Sequence, residues 1–252
     1  MRNRQPGLIW ITGASMGIGA HLARHAANQG WKVAISARSE DKLTALADEN
    51  PDHIFAYPLD VLDLAATTAV VEAIEHDHGP ITIAVLNAGT HADMPASAFD
   101  AQEVAKIYAL NMTGMANGLD PLLKRFLPRG AGQIALTASV AGFRGLPRAG
   151  AYCASKAGTI ALAESLACEI DPKGVKVQVI CPGFVRTPLT DKNDFPMPYL
   201  MEPEDAASRI WAGLMSDRFE ISFPRRFVWQ LKFLQLLPAK WYFALIRKAT
   251  GQ

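Results

Sequence analysis

The sequence predicts an α/β fold, a doubly wound parallel sheet of about seven strands with helices on both faces. Three observations carry this. Short runs of β-branched and apolar residues alternate with longer stretches of helical character along the chain. Ile81–Asn87 is nearly continuous in apolar residues, as expected of a strand covered on both sides. A glycine-rich turn follows the first strand directly, where such folds place a strand-to-helix connection.

The elements follow in order. Leu8–Thr12 reads as a strand and Gly17–Gln29 as a helix. Lys32–Ala37 is a strand, and Glu40–Glu49 a helix opened by Ser39 as N-cap. Ile54–Leu59 is a strand, Ala65–His76 a helix and Ile81–Asn87 the fourth strand. Ala101–Phe126 is a long helix with a soft middle at Asn111–Gly114. Gln133–Ser139 is a strand. Tyr152–Glu169 is a helix ended by Pro172 and Gly174. Val175–Cys181 is a strand, Pro203–Met215 a helix with proline at its start, and Ile221–Phe223 a last short strand. Right-handed crossovers fix most of the resulting topology. One domain over 1–224 is expected, followed by a distinct C-terminal extension over 225–252.

Composition narrows the function classes. Half of the 252 residues are apolar and 19% are charged, ample for a buried core. The 25 Lys and Arg against 24 Asp and Glu leave a net charge of +1, so no global basic field for nucleic acid exists. Three cysteines without CxxC spacing point away from a disulfide scaffold or zinc ribbon and towards a reducing cytoplasm. The N-terminal region has only four consecutive apolar residues, Leu8 to Ile11, too few for the apolar stretch of a signal peptide. No uncharged apolar window is long enough to predict a transmembrane helix.

The turn Thr12-Gly13-Ala14-Ser15-Met16-Gly17-Ile18-Gly19 carries a specific chemistry. Gly13 permits a tight turn, Gly17 lets the backbone approach a pyrophosphate, and Gly19 lets the helix pack closely. Free N–H groups at the helix start then face the phosphate.

The spacing TGxxxGxG resembles that of the short-chain dehydrogenases/reductases, and three further motifs follow in that family's order. Asn87-Ala88-Gly89 follows the fourth strand. Asn111, Ser139, Tyr152 and Lys156 match an Asn-Ser-Tyr-Lys tetrad. Pro182-Gly183 and Thr187 match the segment after the sixth strand. The resemblance spans residues 7–224 and implies a Rossmann-like, nicotinamide-dependent oxidoreductase, a small-molecule carbonyl or alcohol substrate, and a homodimer or homotetramer.

Tyr152 and Lys156 are four residues apart and share a helix face. A nearby ammonium lowers a phenol's pKa and stabilises the phenolate, and Ser139 at a strand end can hold a carbonyl oxygen. The family implies Tyr152 as general acid/base, Lys156 as its modulator and a nicotinamide-ribose ligand, Ser139 as substrate-orienting, and Asn111 as holder of a water in a relay to Lys156. Cofactor contacts implied by the motifs are Gly13, Ser15, Gly17, Ile18, Gly19, Asn87, Ala88, Gly89, Tyr152, Lys156, Pro182, Gly183, Val185 and Thr187, with Asp60 and Val61 at the adenine.

Arg38 and Ser39 end the second strand where an acid would select NAD(H), so NADP(H) is favoured. Met16 stands where NADP-specific members often carry a basic residue. His21 and His25 are spaced as metal ligands could be but lack a third, His76-Asp77-His78 fits a helix end, and Cys153 points away from Tyr152; no metal site is expected.

On the substrate side, the stretch from Phe184 to Met201 (with Phe195, Met197, Tyr199 and Leu200) reads as an apolar lid, and Phe143 as a further wall. This favours an apolar carbonyl compound. The rival readings are an NAD-dependent alcohol dehydrogenase of the same fold, a non-catalytic dinucleotide sensor or scaffold, and a membrane-surface scaffold.

Residues 221–252 hold six Lys or Arg and no Asp or Glu. The remaining 220 residues carry 19 positive and 24 negative charges, so the end of the chain differs chemically from the rest. Within it, Phe227 to Ile246 reads as two short apolar helices meeting near Pro238. Two placements are open: burial against the parent domain or a second subunit, or peripheral contact with anionic lipid.

Overall fold

The computed structural model describes residues 5–191 and 197–250. Seven parallel strands form one sheet, β1 (Leu8–Thr12), β2 (Lys32–Ser36), β3 (Ile54–Ala56), β4 (Ile81–Leu86), β5 (Gly132–Thr137), β6 (Val175–Pro182) and β7 (Glu220–Phe223), in the order β3-β2-β1-β4-β5-β6-β7. The doubly wound α/β expectation holds. The order reverses beside β1, so the C-terminal ends of β1 and β4 open a crevice.

Strand alternation sends side chains into two cores. Ile9, Ile11, Val33, Ile35, Ile83 and Val85 meet α1 (Gly17–Asn28), α2 (Glu40–Asp48) and α7 (Pro203–Leu214). On the other face Trp10, Ala34, Ala84, Leu86, Ile134 and Leu136 meet α3 (Leu64–His78), α5 (Gly114–Arg129) and α6 (Gly150–Ile170). Burial on both faces is why these strands read as continuous apolar runs. Two polar groupings inside the sheet layers are paired: Trp10 Nε1 donates to Ser36 Oγ at 3.0 Å, and Gln133 Nε2 donates to Gln178 Oε1 at 2.6 Å and to the Leu214 carbonyl at 2.9 Å.

Several boundaries differ from expectation for local reasons. β3 is regular only over Ile54–Ala56 rather than to Leu59, although the Tyr57 and Leu59 N–H groups still donate to the Ile35 and Ala37 carbonyls, both at 2.9 Å. The long helix splits: α4 (Ala101–Tyr108), one π turn over Ala109–Thr113, then α5, which runs past Phe126 to a left-handed Gly130 despite Pro121 and Pro128. Pro121 is buried among apolar neighbours, and that packing offsets the lost backbone bond. The helix α6 starts two residues before Tyr152. Beyond β7 lie α8 (Arg225–Leu236) and α9 (Ala239–Thr250).

The histidine pairs fall into ordinary surroundings. His21 lies 3.2 Å from Glu204 and His25 packs its ring on Trp211. His76 bonds Asp77, and His78 stacks on Phe55.

Candidate active site

The site begins where β1 turns into α1. Gly13 sits at φ +66°, and a Cβ there would stand 2.7 Å from Ala88 Cα, so only glycine fits. Gly13→Ala is expected to cost about 1–3 kcal/mol of stability in a denaturant titration; an unchanged midpoint would show that the turn has slack. A Cβ on Gly19 would lie 2.5 Å from the Gly13 carbonyl oxygen and 2.9 Å from Asn87 Nδ2. Gly19 thus brings the helix close to the turn itself and to Asn87.

The turn is laced to the segment after β4. Thr12 Oγ1 accepts from the N–H groups of Asn87 (2.9 Å) and Ala88 (3.2 Å), and Asn87 Nδ2 donates back to the carbonyls of Thr12 (3.2 Å) and Gly13 (3.3 Å). The N-cap residue Met16 makes no side-chain cap bond, and the first residues of α1, Gly17 and Ile18, border the crevice with their N–H groups.

The crevice has a volume of about 570 Å³. Every residue expected to touch the cofactor borders it except Gly19, which lies behind the turn. Arg38 and Ser39 stand exposed on its rim, and no carboxylate pairs with Arg38 among the described residues. Asp60 and Val61 form another edge, held by Asn117 Nδ2, which donates to the Val61 carbonyl at 2.9 Å.

These features fit a nicotinamide dinucleotide. The glycine turn leaves room where a Cβ would intrude, α1 offers unpaired N–H donors to a pyrophosphate, Arg38 and Ser39 offer donors to a 2′-phosphate, and Lys156 offers an ammonium to a ribose.

At the inner wall, β5 and α6 bring Ser139, Tyr152 and Lys156 together. Ser139 Oγ lies 3.4 Å from the Pro182 carbonyl and accepts from the Ala141 N–H at 3.1 Å. Lys156 is 3% exposed, donates from Nζ to the Thr137 carbonyl at 2.7 Å, and holds Nζ 5.7 Å from the centre of the Tyr152 ring.

The electrostatics correct one expectation. Burial pushes the Tyr152 hydroxyl up to about 12, partly opposed by hydrogen bonding from Ser139, and pushes the Lys156 ammonium down to about 8. The Tyr152 pKa is raised rather than lowered because desolvation of the phenolate outweighs what the site offers it.

Asn111 lies in the π turn, fully buried. Its Oδ1 accepts from the Thr90 N–H at 2.8 Å, and its Nδ2 donates to the Thr90 carbonyl and to Ser155 Oγ, both at 3.0 Å. A Cβ on Gly89 would lie 3.2 Å from Asn111 Oδ1 and 3.3 Å from Lys156 Nζ, so both side chains reach the same point of the backbone. Asn111 therefore clamps the Gly89–Thr90 segment after β4 to α6.

The structure redirects the two substrate-wall residues. Neither Phe143 nor Phe184 borders the crevice. Both face α8 instead: Lys232 Nζ sits 5.3 Å over the Phe143 ring, and Phe184 stacks on Phe227 at 5.7 Å. From the expected lid, Pro188, Leu189 and Thr190 border the crevice, while Tyr199 packs on Phe227 at 5.9 Å. Phe195 lies outside the described residues.

Sequence reasoning missed His91, whose ring meets Tyr152 edge-on at 4.8 Å. Its Nδ1 is buried without a hydrogen-bond partner among the described residues, and burial lowers its pKa. Two residues on, Asp93 forms a bidentate ion pair with Arg148, tying this loop to the start of α6. Nothing in the sequence pairs residues 91 and 152.

The chain is similar to known proteins. A family model described as short chain dehydrogenase matches residues 8–196. An uncharacterized oxidoreductase of Myxococcus xanthus is 35% identical over 241 residues, covering 94% of this chain and 95% of that protein. The 3-oxoacyl-(acyl-carrier-protein) reductase of Rickettsia prowazekii is 34% identical over 72% of this chain and 74% of its own length. Among solved structures, the 3-ketoacyl-(acyl-carrier-protein) reductase of Brucella melitensis complexed with NADH is 28% identical with a TM-score of 0.79, over 86% of this chain and 94% of that one.

Proposed function

The chain belongs to the short-chain dehydrogenase/reductase family and is an oxidoreductase of that family, and from that premise we propose that it reduces apolar carbonyl compounds with NADP(H), using Ser139, Tyr152 and Lys156. The observation that carries this reading is the convergence of these three side chains on one wall of a crevice whose far rim presents Arg38 and Ser39. NADP(H), when bound, supplies or accepts the hydride.

The protein's own residues handle the oxygen. Ser139 orients the carbonyl oxygen, and Tyr152 gives it a proton as carbon is reduced. Lys156, buried beside Tyr152, stabilises the phenolate that this leaves. Asn111 holds the Gly89–Thr90 backbone next to Lys156, where a proton relay to solvent would begin.

The raised Tyr152 favours reduction, because its hydroxyl stays protonated across the physiological range. For the free enzyme, kcat/KM for carbonyl reduction should be level below Lys156's value of about 8 and fall above it, as the ammonium that supports the phenolate discharges. Alcohol oxidation, which needs Tyr152 ionised, should rise with pH over the same range. A reduction profile that rises through neutrality would contradict this assignment.

Arg38 favours NADP(H), with no acid at the end of β2 to take a ribose hydroxyl. The Brucella melitensis protein is complexed with NADH, so titration with both cofactors is the deciding comparison. The three cysteines are free thiols, in keeping with the cytoplasm as part of this proposal. A homodimer or homotetramer, as the family implies, is part of it too, and light scattering measures it. A panel of ketones, aldehydes and alcohols followed by nicotinamide absorbance tests the reading. Turnover with no member of the panel and either cofactor would favour a sensor.

A further inference from the structure

We propose that the outward face of α8 and α9 docks on an anionic lipid surface and holds the substrate-side loops against it. The two helices are wired to both loops. Arg144, five residues after Ser139, donates from one guanidinium nitrogen to the carbonyls of Leu234 (2.8 Å), Gln235 (3.2 Å) and Leu237 (2.8 Å), capping the C-terminal end of α8. The same guanidinium lies 3.9 Å over the Tyr242 ring, and Tyr242 Oη donates to the Gly145 carbonyl at 2.6 Å. Phe227 stacks on Phe184 and meets the Tyr199 ring at a tilt, and Gln230 reaches Tyr199 Oη at 3.2 Å.

This docking uses the inner faces only. Val228 on α8, and Tyr242 and Ile246 on α9, are buried. On the outer side, Trp229, Phe233 and Leu236 follow the i, i+4, i+7 spacing of one helical stripe and are 68%, 65% and 83% exposed. On α9, Trp241 and Leu245 are again four apart and exposed. Large apolar side chains left in water along two adjacent helices mark an interaction surface.

Charge selects the occupant. Arg225, Arg226, Lys240, Arg247 and Lys248 are exposed and enter no ion pair among the described residues, whereas Lys232 is held by Glu220 at 2.7 Å. Residues 221–252 contain no Asp or Glu. Two copies meeting through this face would set cation against cation. An anionic lipid surface matches both features, with tryptophans at headgroup depth and Lys and Arg reaching the phosphates. Among the described residues no helix is long and apolar enough to cross a membrane, so the contact lies in the plane of the surface. As a consequence that rests on the reductase reading, the substrate is a carbonyl compound dissolved in the bilayer.

The full chain should sediment with phosphatidylcholine vesicles containing phosphatidylglycerol, remain in the supernatant with phosphatidylcholine alone, and be released by salt. Trp10, Trp31 and Trp211 are buried and Trp229 and Trp241 exposed, so a blue shift of tryptophan fluorescence on vesicle addition reports this face. Trp229→Ser with Trp241→Ser should abolish the shift and lower binding by roughly tenfold or more, with oligomeric mass and activity on a short, water-soluble ketone unchanged. Anionic vesicles should stimulate reduction of a long-chain ketone by the unsubstituted chain.

Absence of sedimentation with anionic vesicles would overturn the proposal, whether or not the enzyme reduces ketones. So would a changed oligomeric mass in the double variant, which would assign the face to a second copy. Vesicle binding without stimulation would overturn the inferred substrate class.

Discussion

Tyr152→Phe should lower turnover by about 10²-fold or more while the protein folds and binds cofactor as before. The substitution removes one hydroxyl and almost no volume. The ring keeps its edge-on contact with His91 and its place 5.7 Å from Lys156 Nζ, so the wall of the crevice persists. What disappears is the only group in the cluster suited to protonate the substrate oxygen. Lys156 cannot replace it, being turned into the Thr137 carbonyl, and Ser139 is too weak an acid. Steady-state turnover, circular dichroism and a cofactor titration together isolate the effect. Near-native turnover on a good substrate would refute the assignment of Tyr152.

Arg38→Asp should weaken NADPH binding and spare NADH. Loss of a hydrogen-bonded charge partner is worth roughly 1.5–3 kcal/mol, about 10- to 150-fold in affinity. Arg38 is exposed on the rim and is not part of the core, so the change acts on the ligand rather than on folding. The new carboxylate repels a 2′-phosphate and can accept from a ribose hydroxyl. Isothermal titration with both cofactors reads the result. Equal weakening of the two, or tighter NADH than NADPH binding in the unsubstituted protein, would remove Arg38 as the selector.

The legible parts of this molecule are those set by local periodicity. The strands stood out because both faces of the sheet are covered, and the glycine turn because its spacing follows a strand. Ser139, Tyr152 and Lys156 were reached through motif order together with the one-turn separation of Tyr152 and Lys156. Features that depend on distant segments were hidden. Asn111 is held by Thr90 and Ser155, and His91 meets Tyr152 across 61 positions of sequence, contacts that no pattern encodes. The direction of the Tyr152 shift is not legible in the sequence for a related reason. Spacing places the ammonium near the ring, but only the packed structure reveals how much water the phenol has lost. Phe143 reads as a substrate wall because it lies just beyond Ser139, and Phe184 because it opens an apolar stretch, whereas in the structure both meet α8, far along the chain.

The central claim is that this site delivers a hydride to a carbonyl carbon and a proton to its oxygen. It is tested most directly by isotope transfer. With NADPH deuterated at the transferable nicotinamide position and a ketone that the protein turns over, the alcohol formed should carry deuterium at the carbinol carbon, as mass spectrometry reads it. Alcohol formed without that deuterium, or no alcohol from any ketone of the panel with either cofactor, would contradict the account.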